Sequence, residues 1–251
     1  MQKFLEVIRT HSPTEGRDGD LCIANDGPLH VEYAPFDHIE KNAKIAIVGL
    51  TPGRNQARNA RNALREAWSS GRPMTEAMAL AKRSASFSGA MRSNLLAILD
   101  HIGLPNAFGM QKSEEFFSLN GAGVHFTSAL RYPVFLNENN YSGSPHLITT
   151  PILREMIDIY LAEEASTLSE ALWIPVGKHA AAALFYLADA GKLDRARIIS
   201  GLPHPSGANS ERIAYFLEKK SREKLSNRTN PDIIDDARKL LKAQVKSLSK
   251  N

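Results

Sequence analysis

The sequence predicts an α/β protein, a three-layer α/β/α arrangement with a mostly parallel central sheet. Three observations predict it. Short apolar runs that end in glycine, Lys44-Ile45-Ala46-Ile47-Val48-Gly49 and Ala171–Val176 before Gly177, read as strands buried on both faces. Segments of helical periodicity alternate with these runs, as parallel crossovers require. Two glycine- and proline-rich loops, Gly49–Gly53 and His204–Asn209, follow strand ends, where open α/β sheets bind ligands.

Taken in order, residues 1–42 read as an irregular or helical lead-in with turn signals at Ser12-Pro13 and Gly27-Pro28. The strand from Lys44 is followed, after Pro52-Gly53, by a helix to about Ser69. Residues 91–102 form an amphipathic helix pattern stopped by Gly103, and Val124–Leu130 is β-like. Helical patterns over 150–163 and 178–190 flank the strand at 171–176. Arg197–Gly201 reads as a third buried strand leading into Leu202-Pro203-His204. From about Ser210 the chain is helical and charged, with a break near Asn230-Pro231. No repeat or linker interrupts the pattern, so one domain is expected over 1–251, with 218–251 as a basic helical C-terminal extension.

Composition narrows the function classes. A 43% hydrophobic and 23% charged chain is globular rather than disordered. No run approaches the roughly 20 apolar residues of a membrane span, and the first twenty residues have no apolar stretch typical of a secretion signal. Cys22 is the single cysteine and cannot form an internal disulfide, so a reducing, cytoplasmic setting is expected. The eight histidines are scattered, and His30 and His38 lack helical ligand spacing, so no metal and no cofactor are expected. Net charge is a mild +4, but its distribution is uneven. Residues 218–251 hold ten Lys/Arg against five acids, and residues 54–65 hold four Arg and no acid. Such surfaces suit a polyanion, the alternative being a merely solvated face, and a monomer is expected.

Gly49-Leu50-Thr51-Pro52-Gly53 makes a tight turn whose backbone amides can approach a ligand closely. It is neither a Walker nor a Rossmann loop, and alone it also fits an ordinary turn. In His204-Pro205-Ser206-Gly207-Ala208-Asn209, a histidine held by the following proline can donate to negative charge developing on a substrate oxygen.

Together, GLTPG and HPSGAN resemble the two signature loops of the uracil-DNA glycosylase superfamily. Three intervening segments agree in order: Ser86-Phe87-Ser88-Gly89 before a helix, Phe126–Pro133, and Trp173–Ala180 with its strand, glycine and helix. The resemblance spans about Lys44 to Arg212. It implies a uracil-DNA glycosylase-like fold and extrusion of a base into a pocket, where the N-glycosidic bond is hydrolysed to leave an abasic site. In that reading His204 stabilises the departing base, Phe87 stacks on it, and Ser128 and Leu50 line its edge. The water is held by Thr51, Asn55 or an acid from elsewhere in the chain. Pro52, Gly53, Ser206, Gly207, Ala208, Asn209 and Arg212 meet the DNA backbone.

Departures from the family pattern sharpen the expectation. Relatives place an acid or amide at the second or third position of the first loop, where this chain has Leu50 and Thr51. Another branch carries an aspartate where Ala90 stands, and Ser128 replaces a base-reading asparagine. A hydroxyl cannot supply the paired donor and acceptor of an amide, so a bulkier modified pyrimidine is expected, as in defence against phages with hypermodified DNA. The alternative is a catalytically silent nucleic-acid-binding module; an enzyme acting on free nucleosides is a more distant one. No lysine is well placed for a Schiff base, so a monofunctional glycosylase is expected. Arg54, Arg58, Arg61 and Arg65 recur at spacings of four, three and four beside Asn55, Asn59 and Asn62, and this helix face is expected on phosphates. Ala208 is small for a wedge, which suggests single-stranded DNA or an unstable pair, or a bulky substitute such as Tyr141.

Overall fold

The apolar run at the first motif becomes the central strand. In the computed structural model, which describes residues 2–10, 15, 16, 18–117 and 123–248, β3 (Ile45–Gly49) is buried at every position. It is flanked on both sides by parallel partners, β4 (Val124–Ser128) and β7 (Leu172–Pro175), in the order β4-β3-β7. Burial on both faces explains why these strands read as continuous apolar runs rather than alternating ones. Ala46 and Val48 face one core, Ile45 and Ile47 the other.

Helices close both faces. α2 (Arg54–Ser69), α3 (Met74–Ala85) and α8 (Lys178–Asp189) pack on the Ala46–Val48 side. On that side, too, a helical stretch runs from α6 (Pro151–Met156) through a π-helical segment at Ile157–Leu161 into α7 (Ala162–Thr167). α4 (Ala90–His101), α9 (Ser210–Phe216) and α10 (Pro231–Leu248) pack on the Ile45–Ile47 side, with a single turn, α5 (Leu104–Ala107), beyond α4. The three-layer α/β/α expectation is met. The helical C-terminal region is interrupted before Asn230-Pro231, as expected, and α10 starts there because Asn230 Oδ1 accepts from the amides of Asp232 and Ile233 as proline opens the first turn. Among the described residues no helix is long and apolar enough to cross a membrane.

Two expectations are corrected. Arg197–Gly201 is not a strand: Arg195–Arg197 is a 3-10 turn, and the chain beyond it touches β7 only through parallel bridges Trp173–Ile198 and Val176–Leu202. Residues 198–202 hold the sheet edge by these two points, too few for a ladder. The lead-in 1–42 is also more ordered than its pattern. After α1 (Gln2–Thr10) it forms a hairpin, β1 (Cys22–Asp26) and β2 (Leu29–Glu32). Gly27 turns it with φ +54°, a conformation side chains resist. With β5 (Val134–Leu136) and β6 (Asn139–Asn140) this makes a second, antiparallel sheet in the order β1-β2-β5-β6. The hairpin hid because its strands are short and β2 buries His30 and Glu32, the latter paired with the distant Arg61. Ser12-Pro13 and residues 249–251 lie outside the described residues.

Candidate active site

A cleft of about 1000 Å³ opens at the carboxyl ends of β3, β4 and β7. The first motif, from Gly49 to Asn55, lines one side, and His204, Ser206, Ala208, Asn209 and Arg212 line another. Phe87 and Ser128 complete it. Gly49 lies between them: a Cβ there would touch both Phe87 Cε1 and Ser128 Oγ at 3.4 Å. Phe87 is buried with φ +52°, a strained value for an aromatic residue, and it packs edge-on against Phe126.

His204 is held from three directions. The Ser206 amide donates to its Nδ1 at 3.3 Å, which places the ring proton on Nε2. Asn94 of α4 fixes the next residue by donating to the Pro205 carbonyl at 2.8 Å. Gly177, with φ +90°, sits so close that a Cβ would approach His204 Cβ to 3.0 Å. The glycine of the strand–glycine–helix unit is therefore a seat for the histidine. Burial, and then the nearby His179, hold the His204 imidazole below its ordinary pKa, so near pH 7 it is a neutral donor.

The first motif is knitted from outside. Gln56 accepts from the Gly53 amide, and Asn140 of β6 accepts from the Arg54 amide at 2.9 Å. Thr51 differs from its expected role. Its hydroxyl donates to the Tyr132 carbonyl and accepts from the Val134 amide, both at 3.1 Å, so its proton is committed to the backbone. Asn55 is exposed in the cleft wall. Ser206 accepts from Asn209, and Arg212 donates to Asn209 and to the Arg228 carbonyl, so the second motif supports itself. Gly207 is exposed beside the cleft but does not line it.

The arginine row is corrected. Glu15 accepts from Arg54, Arg58 and Arg61, and Arg58 meets it with two bonds of 2.9 Å. These hydrogen bonds and charges hold the Glu15 carboxyl below its usual range, despite the opposing effect of burial. Arg61 is buried, donating to Glu32 at 2.8 Å and to the Tyr33 carbonyl. Arg65 donates to the Ile8 carbonyl. Only Arg54 of the four lines the cleft. Helical spacing put these residues on one face, but acids from the N-terminal segment cover that face. Arg61→Leu is expected to cost about 3 kcal/mol of stability, because Glu32 is left buried without its partner. The salt slope of DNA binding should be unchanged; a shallower slope in titrations between low and moderate salt would return Arg61 to the phosphates.

Tyr141 does not act as the wedge: it is buried, and its hydroxyl donates to the Pro145 carbonyl. Two lysines, Lys82 and Lys178, do line the cleft, although none was expected there. Lys82, Arg131, Thr127, Asn140, Asn94 and His179 escaped sequence reading. Lys82, Asn94 and Asn140 come from separate elements and their spacing carries no motif, while Thr127, Arg131 and His179 lie inside family-like segments but are given no role there.

A family model described as the uracil DNA glycosylase superfamily matches residues 36–233. A protein of Bacillus subtilis (strain 168), described as uncharacterized protein YoxB, is 34% identical over 218 residues, covering 86% of this chain and 85% of its own length. No solved structure gives a significant match.

Proposed function

This chain belongs to the uracil DNA glycosylase superfamily, and from that premise we propose that it is a monofunctional DNA glycosylase acting on an altered pyrimidine. The observation that carries this reading is His204: a neutral Nε2–H donor held in the same cleft as Phe87 and Ser128. Cleavage of the glycosidic bond leaves the electron pair on the base and positive character on the sugar. His204 stabilises the base oxygen that gains charge, Phe87 covers the base face, and Ser128 meets its edge. Water adds to the sugar carbon, and its proton ends on the base or in solvent. Asn55 and Asn140, which line the cleft beside the first motif, hold that water. The small Ala208 favours single-stranded DNA or an already weakened pair.

One observation favours a second reading, a silent nucleic-acid-binding module: among the described residues no Asp or Glu lines the cleft. The deciding experiment offers oligonucleotides containing uracil, thymine mismatches, hydroxymethylcytosine or its glucosylated form, in single and double strands. Free base is read by mass spectrometry and abasic sites by alkaline cleavage. Release from at least one substrate is expected. Salt-sensitive binding without release from any would establish the binding module.

A further inference from the structure

The rear of the cleft holds a polar group that the excision chemistry above does not use. Lys82 on the last turn of α3 and Ser86 at its C-cap line the same cleft as Phe87 and Ser128, together with Thr127 at the end of β4 and Arg131 beyond it. Lys82 is 4% exposed, Arg131 5% and Thr127 7%. The Thr127 hydroxyl has no hydrogen-bond partner among the described residues. A buried hydroxyl left unpaired costs roughly 1–3 kcal/mol, so a polar group or water belongs beside it.

The neighbouring cations are only partly satisfied. Lys82 Nζ donates to the His38 carbonyl at 2.8 Å and meets Glu164 at 3.6 Å, leaving one of its three N–H groups over. Arg131 donates through Nε to Glu164 and through Nη2 to the Tyr160 carbonyl and Glu163, while Nη1 makes no bond among the described residues. Glu164 lies behind them, fully buried, and does not line the cleft. The fully buried set thus carries two cations against one carboxylate. Asp37, half-buried and occupied by the hydroxyls of Tyr33 and Tyr132, and Glu163, whose side chain is 56% exposed, sit further toward solvent. Burial outweighs the pull of Glu164 and brings the Lys82 ammonium down to about 8, the behaviour of a cation short of negative charge.

The residues of this wall thus bring together an unpartnered hydroxyl, an ammonium and a guanidinium, each with an N–H or O–H left to donate. We propose that this rear wall is a subsite for a carboxylate carried by the extruded pyrimidine, bound by Lys82, Arg131 and Thr127. The proposal rests on the base-excision reading for its setting, but its test does not need catalysis. Ser86 and Ser128 are small and leave room for the substituent, and charge-assisted bonds in a buried wall are the strong kind.

The test is equilibrium binding of two free bases, 5-carboxyuracil and thymine, followed by calorimetry on the wild type, Lys82→Met and Thr127→Val. The wild type should bind 5-carboxyuracil at least tenfold more tightly than thymine. Lys82→Met should abolish that preference with thymine affinity held within twofold, and the isosteric Thr127→Val should reduce it about threefold. Thermal melting checks that each variant folds; if Lys82→Met does not, Thr127→Val decides. Equal binding of the two bases by the wild type, no binding of either, or a preference that survives in the folded variants would overturn the subsite. Base release from the DNA panel above is measured alongside. Release without a carboxylate preference keeps excision and removes the subsite; a Lys82-dependent preference without any release keeps the subsite and removes excision.

Discussion

His204→Ala is expected to slow base release by about 10²–10³-fold while leaving affinity for intact DNA nearly unchanged, because it removes a donor used only as charge develops. The argument is geometric. The Ser206 amide occupies Nδ1, so Nε2 bears the proton, and Gly177 and the Asn94-anchored Pro205 fix where that ring sits. A donor held in place before reaction costs no reorganisation when the base departs. The pH profile follows with a definite sign. Burial, then His179, place the His204 pKa below its ordinary 6.5, so the neutral ring persists as pH falls through that value. Activity should stay level from pH 7.5 past 6.5 and fall only below it, where Nδ1 gains a proton and loses the Ser206 amide. Single-turnover release measured across that range checks this. A variant with wild-type rates would show that His204 does not touch the leaving group.

Glu164→Gln is expected to be the most damaging structural change, costing about 3–5 kcal/mol, or on the order of 10 °C in melting temperature for a chain of this size. Glu164 is fully buried and lies 2.9 Å from Arg131, 3.3 Å from His125 and 3.6 Å from Lys82. The amide keeps the volume but leaves two buried cations without their fully buried carboxylate. Burial alone would raise the Glu164 carboxyl; Lys82, His125 and Arg131 outweigh it and hold it well below the ordinary 4.5. Its contribution is therefore present above pH 4.5 and lost as pH falls through and below that value, and the variant should show a flatter acid limb of stability. Adding Lys82→Met to Glu164→Gln should recover part of the loss, since a cation without a partner is then removed. Melting curves of the four proteins between pH 3 and 7 decide. Equal melting of Glu164→Gln and wild type would mean that water reaches this cluster and screens it.

The sequence by itself determined the parts of this protein that depend on local chemistry. Apolar runs ending in glycine marked β3 and β7, the helices after them were legible from periodicity, and the motif pair placed Phe87, Ser128 and His204 before any coordinates. Gly49 and Gly177 could be read as turns; that Gly177 is a glycine to seat His204 needed the packing. Charge pairing was beyond reach of the sequence. An arginine row on one helix face looks the same whether it meets phosphates or Glu15 and Glu32, because spacing fixes direction and not what lies opposite. Thr51 had the right residue type to hold water, yet Tyr132 and Val134 bring their backbone to its hydroxyl. The antiparallel sheet and the Lys82–Arg131–Glu164 cluster were decided by tertiary structure alone. The sheet pairs β2 with the distant β5, and the cluster's charged side chains come from separate elements, so their burial becomes affordable only once those partners are brought together.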